Sequence, residues 1–392
     1  MTARAPTHHE LPPFVLLQDD VVGVRRTFAK PLKILQAHNA AELEAALIEM
    51  DAARHEGKWL AGYFSYEAGY VLEEKLAPIL PDNRSVPLLL MGIFESADIS
   101  SFRPKERANP APPAPLIHAR PLWTRDEYKV RFDQLHKHIA YGDCYQANLT
   151  FPIEAEWEGD PIALFHTLTE RQPVRHGGIV HLGGSMILSR SPELFFSIDA
   201  DGWIETRPMK GTAKRGKTVE EDKAIREGLA RDGKNQAENR MIVDLLRNDI
   251  SRITAVGSLE VPELFKVETY PTLHQMISRI RAKLLPDLTL RDIFAALFPC
   301  GSITGAPKIR AMEILHDLEE FPRNIYCGSI GWIAPDGQMS FNVAIRTVTL
   351  HDDGRAVFNV GGGIIFDSEA DSEYDECLLK ARFAAGQINT LA

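Results

Sequence analysis

Apolar residues recur at helical spacing in several stretches of the chain. In Ala41–Arg54, Leu43, Ala46, Leu47 and Met50 share one face, which predicts an amphipathic helix. The same period predicts helices over Arg125–Ala140, with Thr124 as N-cap, and over Thr218–Arg231, Gln236–Arg247, Leu290–Leu297, Ile309–Leu318 and Ser372–Ala385. Short apolar runs between turn residues predict strands. In the first hundred residues these are Phe14–Gln18, Pro31–Gln36, Leu60–Ser65 and Pro87–Ile93. Further on they are Ala147–Ala155, Gly178–Leu182, Met186–Ser189, Leu194–Ile198, Trp203–Arg207, a segment near Leu264–Tyr270, Gly328–Ala334, Ser340–Leu350 and Val357–Gly361. Pro335-Asp336-Gly337 is a hairpin signal between two of them. Strands grouped in hairpins, with helices between the groups, predict an α+β fold with antiparallel sheets rather than a doubly wound sheet.

The pattern lapses over Arg103–Pro121, where Pro, Ala and charged residues dominate. It reads as a linker and divides the chain into an N-terminal α/β region (1–102), a linker (103–121) and a catalytic region (122–392). With 392 residues and 44% hydrophobic composition, the chain can bury a sizeable core. Asp and Glu number 54 against 44 Lys and Arg, a net charge of −10 that argues against a basic nucleic-acid or membrane footprint. Four scattered cysteines with no CxxC pair exclude a disulfide scaffold or structural zinc site as the first expectation. No signal-peptide pattern is recognisable. The longest apolar run, Val86–Phe94, is too short to span a bilayer, so a soluble cytoplasmic protein is expected.

Several side chains can carry chemistry, and each also has an ordinary reading. Lys210 lies in the basic loop ETRPMKGTAKRGK and is either solvated or a nucleophilic amine. Glu193, on the neighbouring predicted strand, is either an edge salt bridge or a general acid. Glu238 sits on the apolar side of its helix, and Glu373 and Glu376 share a face of the last one. They either complement helix dipoles or offer oxygen ligands to a hard cation such as Mg²⁺. Arg346, on an apolar strand, needs a partner there: an internal carboxylate or a substrate anion, with Tyr326 near the same anion. Gly361, Gly362 and Gly363 allow either a sharp turn or close approach of backbone N–H groups to an anion. GSITGAPK superficially looks like a phosphate loop, but its spacing fails and no Ser or Thr follows Lys308. His274 is a lone histidine.

Seven segments occur in one order: SPELFF, TRPMKGT, AENRMIVDLLRNDI, GSITGAPKIRAMEI, YCGSIGW, FNVAIRT and GGGIIFDSEADSEYDE. Together they resemble the chorismate-utilising enzymes, from about Trp123 to the C-terminus. The resemblance implies two packed antiparallel sheets with helices outside. At Pro208-Met209-Lys210-Gly211-Thr212 the lysine is similar to members that aminate chorismate at C4 for 4-aminobenzoate and folate synthesis. Members that make anthranilate usually carry Ala there, and they are the alternative. A non-catalytic chorismate-binding paralogue is a third. The resemblance further implies roles: Lys210 attacks C2 and Glu193 protonates the departing 4-hydroxyl. Mg²⁺ is held by Glu238 and Glu376 with Glu373 nearby. Arg346, Tyr326, Lys380 and the Gly361–Gly363 amides hold the enolpyruvyl carboxylate, with Ser302 and His274 at the pocket. It also implies ammonia from a glutamine amidotransferase partner.

Overall fold

Thr124 illustrates how local sequence sets an element. Its side chain accepts from the Glu127 amide while the Glu127 carboxylate accepts from the Thr124 amide, a capping box that opens the helix Arg125–Tyr141. Gly142, in the left-handed conformation, closes that helix. The computed structural model describes residues 11–104, 112–269, 273–386 and 388–389. Tyr270, at the end of one expected strand, and residues 105–111 of the expected linker lie outside it.

The strands form two antiparallel sheets of ten strands each. In the first, neighbours run in the order Gly305–Ala306, Gln146–Glu156, Arg355–Ile364, Thr347–Leu350, Met186–Ser191, His176–His181, Phe14–Asp19, Val24–Ala29 and Asp98–Ser101. Ile117–Pro121 adds to Gln146–Glu156. In the second the order is Met209–Lys214, Leu273–Lys283, Trp203–Thr206, Leu194–Ile198, Met339–Asn342, Ser329–Ile333, Trp59–Phe64, Leu89–Phe94 and Lys33–Ala37. Glu260–Thr269 adds to Leu273–Lys283. This is the α+β architecture expected, with the sheets face to face and helices outside.

Three apolar clusters hold it together. Val15, Phe28, Val180 and Ile187 of the first sheet meet Ala61, Tyr63, Phe94 and Ile330 of the second. The helices Gly233–Ser251 and Leu290–Leu297 cover the second sheet, where Phe64, Phe196, Phe294 and Phe341 pack ring against ring. The helices Arg125–Tyr141, Pro161–Arg171 and Ala370–Ala381 cover the first. Each buried aromatic contributes roughly 1.5–3 kcal/mol over an exposed one. Among the described residues no helix is long and apolar enough to cross a membrane.

Four expectations are revised. Strands from the first hundred residues complete both sheets, so residue 102 does not divide one sheet system from another. Ile117–Pro121, inside the expected linker, is a strand, its exposed side chains hiding the pattern. Met209–Lys214, expected as a basic loop, is the terminal strand of the second sheet, and its polar residues are half-exposed at the edge. The expected single strand Ser340–Leu350 is two: Met339–Asn342 lies in the second sheet and Thr347–Leu350 in the first.

That break has a counterpart. Met186–Ser191 belongs to the first sheet and Leu194–Ile198 to the second, so the chain also changes sheets at Pro192–Glu193. The two crossings lie side by side. The Val343 amide donates to the Glu193 carbonyl at 3.1 Å, and the Arg190 amide donates to the Arg346 carbonyl at 2.9 Å.

Candidate active site

The two crossings present an acid and a guanidinium at the join of the sheets. Ser191 fixes the first. Its hydroxyl donates to the Val343 carbonyl at 2.6 Å and accepts from the Glu193 amide at 3.2 Å. Glu193 is buried, and the Ser302 hydroxyl donates to its Oε1 at 2.8 Å. Burial raises the Glu193 carboxyl above its ordinary range. The Ser302 hydrogen bond and the charges of Lys210 and Arg346 oppose that rise. Arg346 adopts φ 51, a left-handed conformation that costs any residue with a Cβ. Burial lowers its basicity, against the pull of Glu193 and Tyr326, and among the described residues it forms no ion pair. Tyr326 is buried beside it, its hydroxyl held neutral by desolvation.

Ser302 stands in the single helical turn Gly301–Ile303, and its segment is tied down at both ends by Lys308. The Lys308 ammonium donates to the Leu297 carbonyl at 2.9 Å and pairs with buried Asp249 at 2.6 Å. GAPK is thus a structural clamp, with the lysine directed to a carboxylate of the protein rather than to a phosphate.

Lys210 approaches from the terminal strand of the second sheet, and Gly361–Gly363 from the strand Arg355–Ile364 of the first. The glycines are part of the strand, where a turn was the alternative. They pair with Thr150, Leu149 and Asn148 on one edge, while pairing with Thr347–Leu350 on the other edge ends at Val357. Side chains crowd them. A Cβ at Gly363 would stand 2.8 Å from Gln146 Nε2 and 3.7 Å from Lys210 Nζ, and one at Gly362 would stand 2.8 Å from Glu373 Oε2. A side chain at either position would displace the ends of Gln146 or Glu373. Gln146 was not anticipated. Its Oε1 is buried without a hydrogen-bond partner. The signal available was a polar residue opening the apolar strand QANLTF.

The last helix brings the acids. Glu373 accepts from the Ser368 hydroxyl at 2.8 Å. Burial raises its carboxyl, the carboxylates of Glu376 and Glu238 add to the rise, and Ser368 and Lys380 oppose it. Glu376 is subject to burial too, but its 2.8 Å pair with Lys380 and the charges of Lys210 and Lys234 hold it below its ordinary value. Lys380 also donates to the Gly361 carbonyl at 2.8 Å. Among the described residues no three acids stand close enough for a finished metal cage. The mutual repulsion of Glu373, Glu376 and Glu238 is nonetheless what a cation relieves, and Mg²⁺ commonly takes only one or two carboxylates and keeps waters.

His274 does not join this group. It is fully buried, with one nitrogen 2.9 Å from Thr269 Oγ1 and the other 3.0 Å from Asp222 Oδ1. Asp222 is also held by Arg215 at 2.7 Å. Both ring nitrogens are engaged by Thr269 and Asp222, and it is the backbone of His274 that pairs with Ala213 of the Lys210 strand.

An enclosed acid, an amine and a guanidinium, beside an open edge of backbone amides and a cluster of carboxylates, suit a small anionic substrate from which a poor leaving group is expelled. The family model described as chorismate binding enzyme matches residues 13–386. Aminodeoxychorismate synthase component 1 of Salmonella typhimurium is 38% identical over 339 residues, covering 80% of this chain and 73% of that one. The same component of Escherichia coli is 44% identical over 265 residues, covering 68% and 58%. Among solved structures, anthranilate synthase component I from Streptococcus pneumoniae superposes with a TM-score of 0.79 at 26% identity, covering 97% of this chain and 94% of that one.

Proposed function

The chain belongs to the chorismate binding enzymes, and from that premise we propose that it aminates chorismate to 4-amino-4-deoxychorismate, as component 1 of an aminodeoxychorismate synthase. The observation that carries this reading is the environment of Glu193, a buried acid on which an amine, Lys210, and a guanidinium, Arg346, both act.

In the reaction proposed, Lys210 Nζ forms a bond to ring carbon C2 as the two ring double bonds shift toward C4, a shift that the later attack at C4 reverses. The C4–oxygen bond breaks as Glu193 gives its proton to the departing hydroxyl, which leaves as water. Ammonia then bonds to C4, and the bond from C2 to Lys210 breaks. The proton from Glu193 avoids expelling hydroxide, and splitting the substitution in two lets ammonia displace an amine instead. A carboxyl raised by burial keeps the proton this step needs to a higher pH than an exposed one would. Arg346, Tyr326 and the free edge of Gly361–Gly363 hold the enolpyruvyl carboxylate, with Ser302 supporting Glu193. Glu373 and Glu376, with Glu238, would hold Mg²⁺. Bound there, the ion neutralises the ring carboxylate in an otherwise acidic protein. Lys380 positions both Glu376 and the Gly361 carbonyl. The ammonia comes from a glutaminase partner subunit. Four buried free cysteines suit a reducing, cytoplasmic setting.

The likeness to an anthranilate synthase component I favours a second outcome on the same scaffold. Mass spectrometry of the product from chorismate, Mg²⁺ and ammonium, without added lyase, decides between them. An aminated product that retains its enolpyruvyl group supports the first reading, and anthranilate with released pyruvate overturns it in favour of the second. Absence of turnover, with chorismate bound in calorimetry, leaves the binding paralogue.

A further inference from the structure

A pocket of about 180 Å³ is lined on one side by Arg323. Its walls include Tyr66, Tyr70, Phe321, His316 and the carboxylates Glu67, Glu319 and Glu320. Two of these carboxylates have their own guanidinium. Glu319 is paired with Arg323 at 2.7 Å, and Glu320 with Arg131 at 2.5 Å. Glu67 forms no ion pair among the described residues. Its Oε1 accepts from the amides of Arg323 and Asn324 at 2.7 and 3.2 Å, while Oε2, fully buried, has no hydrogen-bond partner. The adjoining Tyr66 hydroxyl is also buried without one. Tyr66 and Tyr70 meet edge to face at 5.9 Å, and Tyr70 meets His316 the same way at 6.0 Å.

A buried carboxylate oxygen with no donor is costly, and in native proteins such an atom ordinarily has a water or ligand partner. Burial pushes the Glu67 carboxyl up to about 7 against the charge of Arg323, and a hydrogen-bond-donating cation among the aromatic faces would complete its ionised form. The pocket's inner wall leads to the reaction site. The Arg323 guanidinium donates to the carbonyls of Ile303 at 3.1 Å and Asn148 at 2.6 Å. Ile303 follows Ser302, and Asn148 is paired with Gly363.

We propose that this pocket binds ammonium, with Glu67 Oε2 as its counter-ion and the tyrosines as its walls, and holds the nitrogen donor one residue layer behind the reacting ring. The proposal rests on the amination reading above. Ammonium is the class that fits the lone acceptor: a compact cation with four donors, which would share the 180 Å³ cavity with water.

The test is steady-state kinetics of the intact chain with chorismate, Mg²⁺ and ammonium chloride, comparing the wild type with Glu67→Gln. The amide keeps the acceptor for Arg323 and Asn324 and removes the charge. The KM for ammonium is expected to rise roughly tenfold or more, the loss of one charge-assisted hydrogen bond, with the KM for chorismate unchanged. An unchanged ammonium KM overturns the proposal and leaves Glu67 as a cap of the Arg323–Tyr326 turn. If Glu67→Gln does not fold, Phe321→Trp narrows the pocket without touching Glu67 and is expected to raise the same KM. Thermal unfolding separates this from the reading it rests on. Ammonium chloride should stabilise the wild type more than an equal concentration of choline chloride, and Glu67→Gln should lose the difference. Should the wild type form no aminated product, the functional reading falls, and the unfolding shift still decides the site.

Discussion

Ser302 donates its hydroxyl to Glu193 Oε1 at 2.8 Å, and this bond works against the burial that raises the same carboxyl. A hydrogen bond to the ionised form lowers a pKa, and desolvation of that form raises it. The acid form of Glu193 is therefore lost as pH rises through a value above the ordinary carboxylate range. In Ser302→Ala the opposing bond is gone, the carboxyl rises further, and the basic limb of kcat/KM moves to higher pH. A pH profile at constant free ammonia measures it, and a limb moving downward would contradict the assignment. Glu193→Gln has no proton to give, and kcat should fall about 10²–10⁴-fold with chorismate still bound.

Lys210→Ala tests the nucleophile. The side chain leaves an edge strand whose pairing with Leu273–Lys283 does not depend on it, so the fold should persist by circular dichroism. Turnover should fall by more than about a thousandfold, roughly 4 kcal/mol of barrier. Intact-mass spectrometry of quenched reactions should lose any chorismate-derived adduct. An adduct on the variant would place the nucleophile elsewhere.

Glu376→Gln removes the acid that Lys380, Lys210 and Lys234 keep ionised. The Mg²⁺ concentration for half-maximal activity should rise roughly tenfold or more. An unchanged metal titration would remove Glu376 from the ligand set.

Asp20 and Arg190 form an ion pair in which both side chains are wholly buried. The Arg190 guanidinium also donates to the Gln172 carbonyl and stands 5.2 Å from the Phe165 ring centre. Asp20→Ala leaves an uncompensated buried charge and should cost about 3–5 kcal/mol. Asp20→Leu combined with Arg190→Met should recover most of it. Urea unfolding of the three proteins measures both effects.

Legibility in the sequence followed how local the signal was. Helix caps such as Thr124, and the residue types of Lys210, Glu193 and the last-helix acids, could be read directly, because they rest on neighbours within a few positions. Arg346 could be found but not placed. SFNVAIRTVTL is rich in apolar and β-branched residues on both sides of it, and nothing in that run marks the point where the chain leaves one sheet for the other. Lys210 reads as a loop residue because a half-exposed edge strand shows little hydrophobic alternation. Helix Pro161–Arg171, with Asp160 as its cap and Leu164, Phe165 and Leu168 on one face, carried an ordinary signal and was passed over. Glu67 could not have been singled out, since its isolation depends on a pocket built from segments about 250 residues apart.

The paired crossings set how the molecule tolerates breathing. Glu193 and Arg346 are laced together by main-chain bonds at the join, like the two leaves of one hinge pin, so their spacing stays nearly constant if the sheets shear. Lys210 and Gly363 have no such lacing, being carried by different sheets away from the join. A small opening of the sandwich therefore widens the jaw between the amine and the glycines while the grip on the anion is kept. On the roles proposed for these residues, the grip on the anion and the approach of the amine would draw on separate motions.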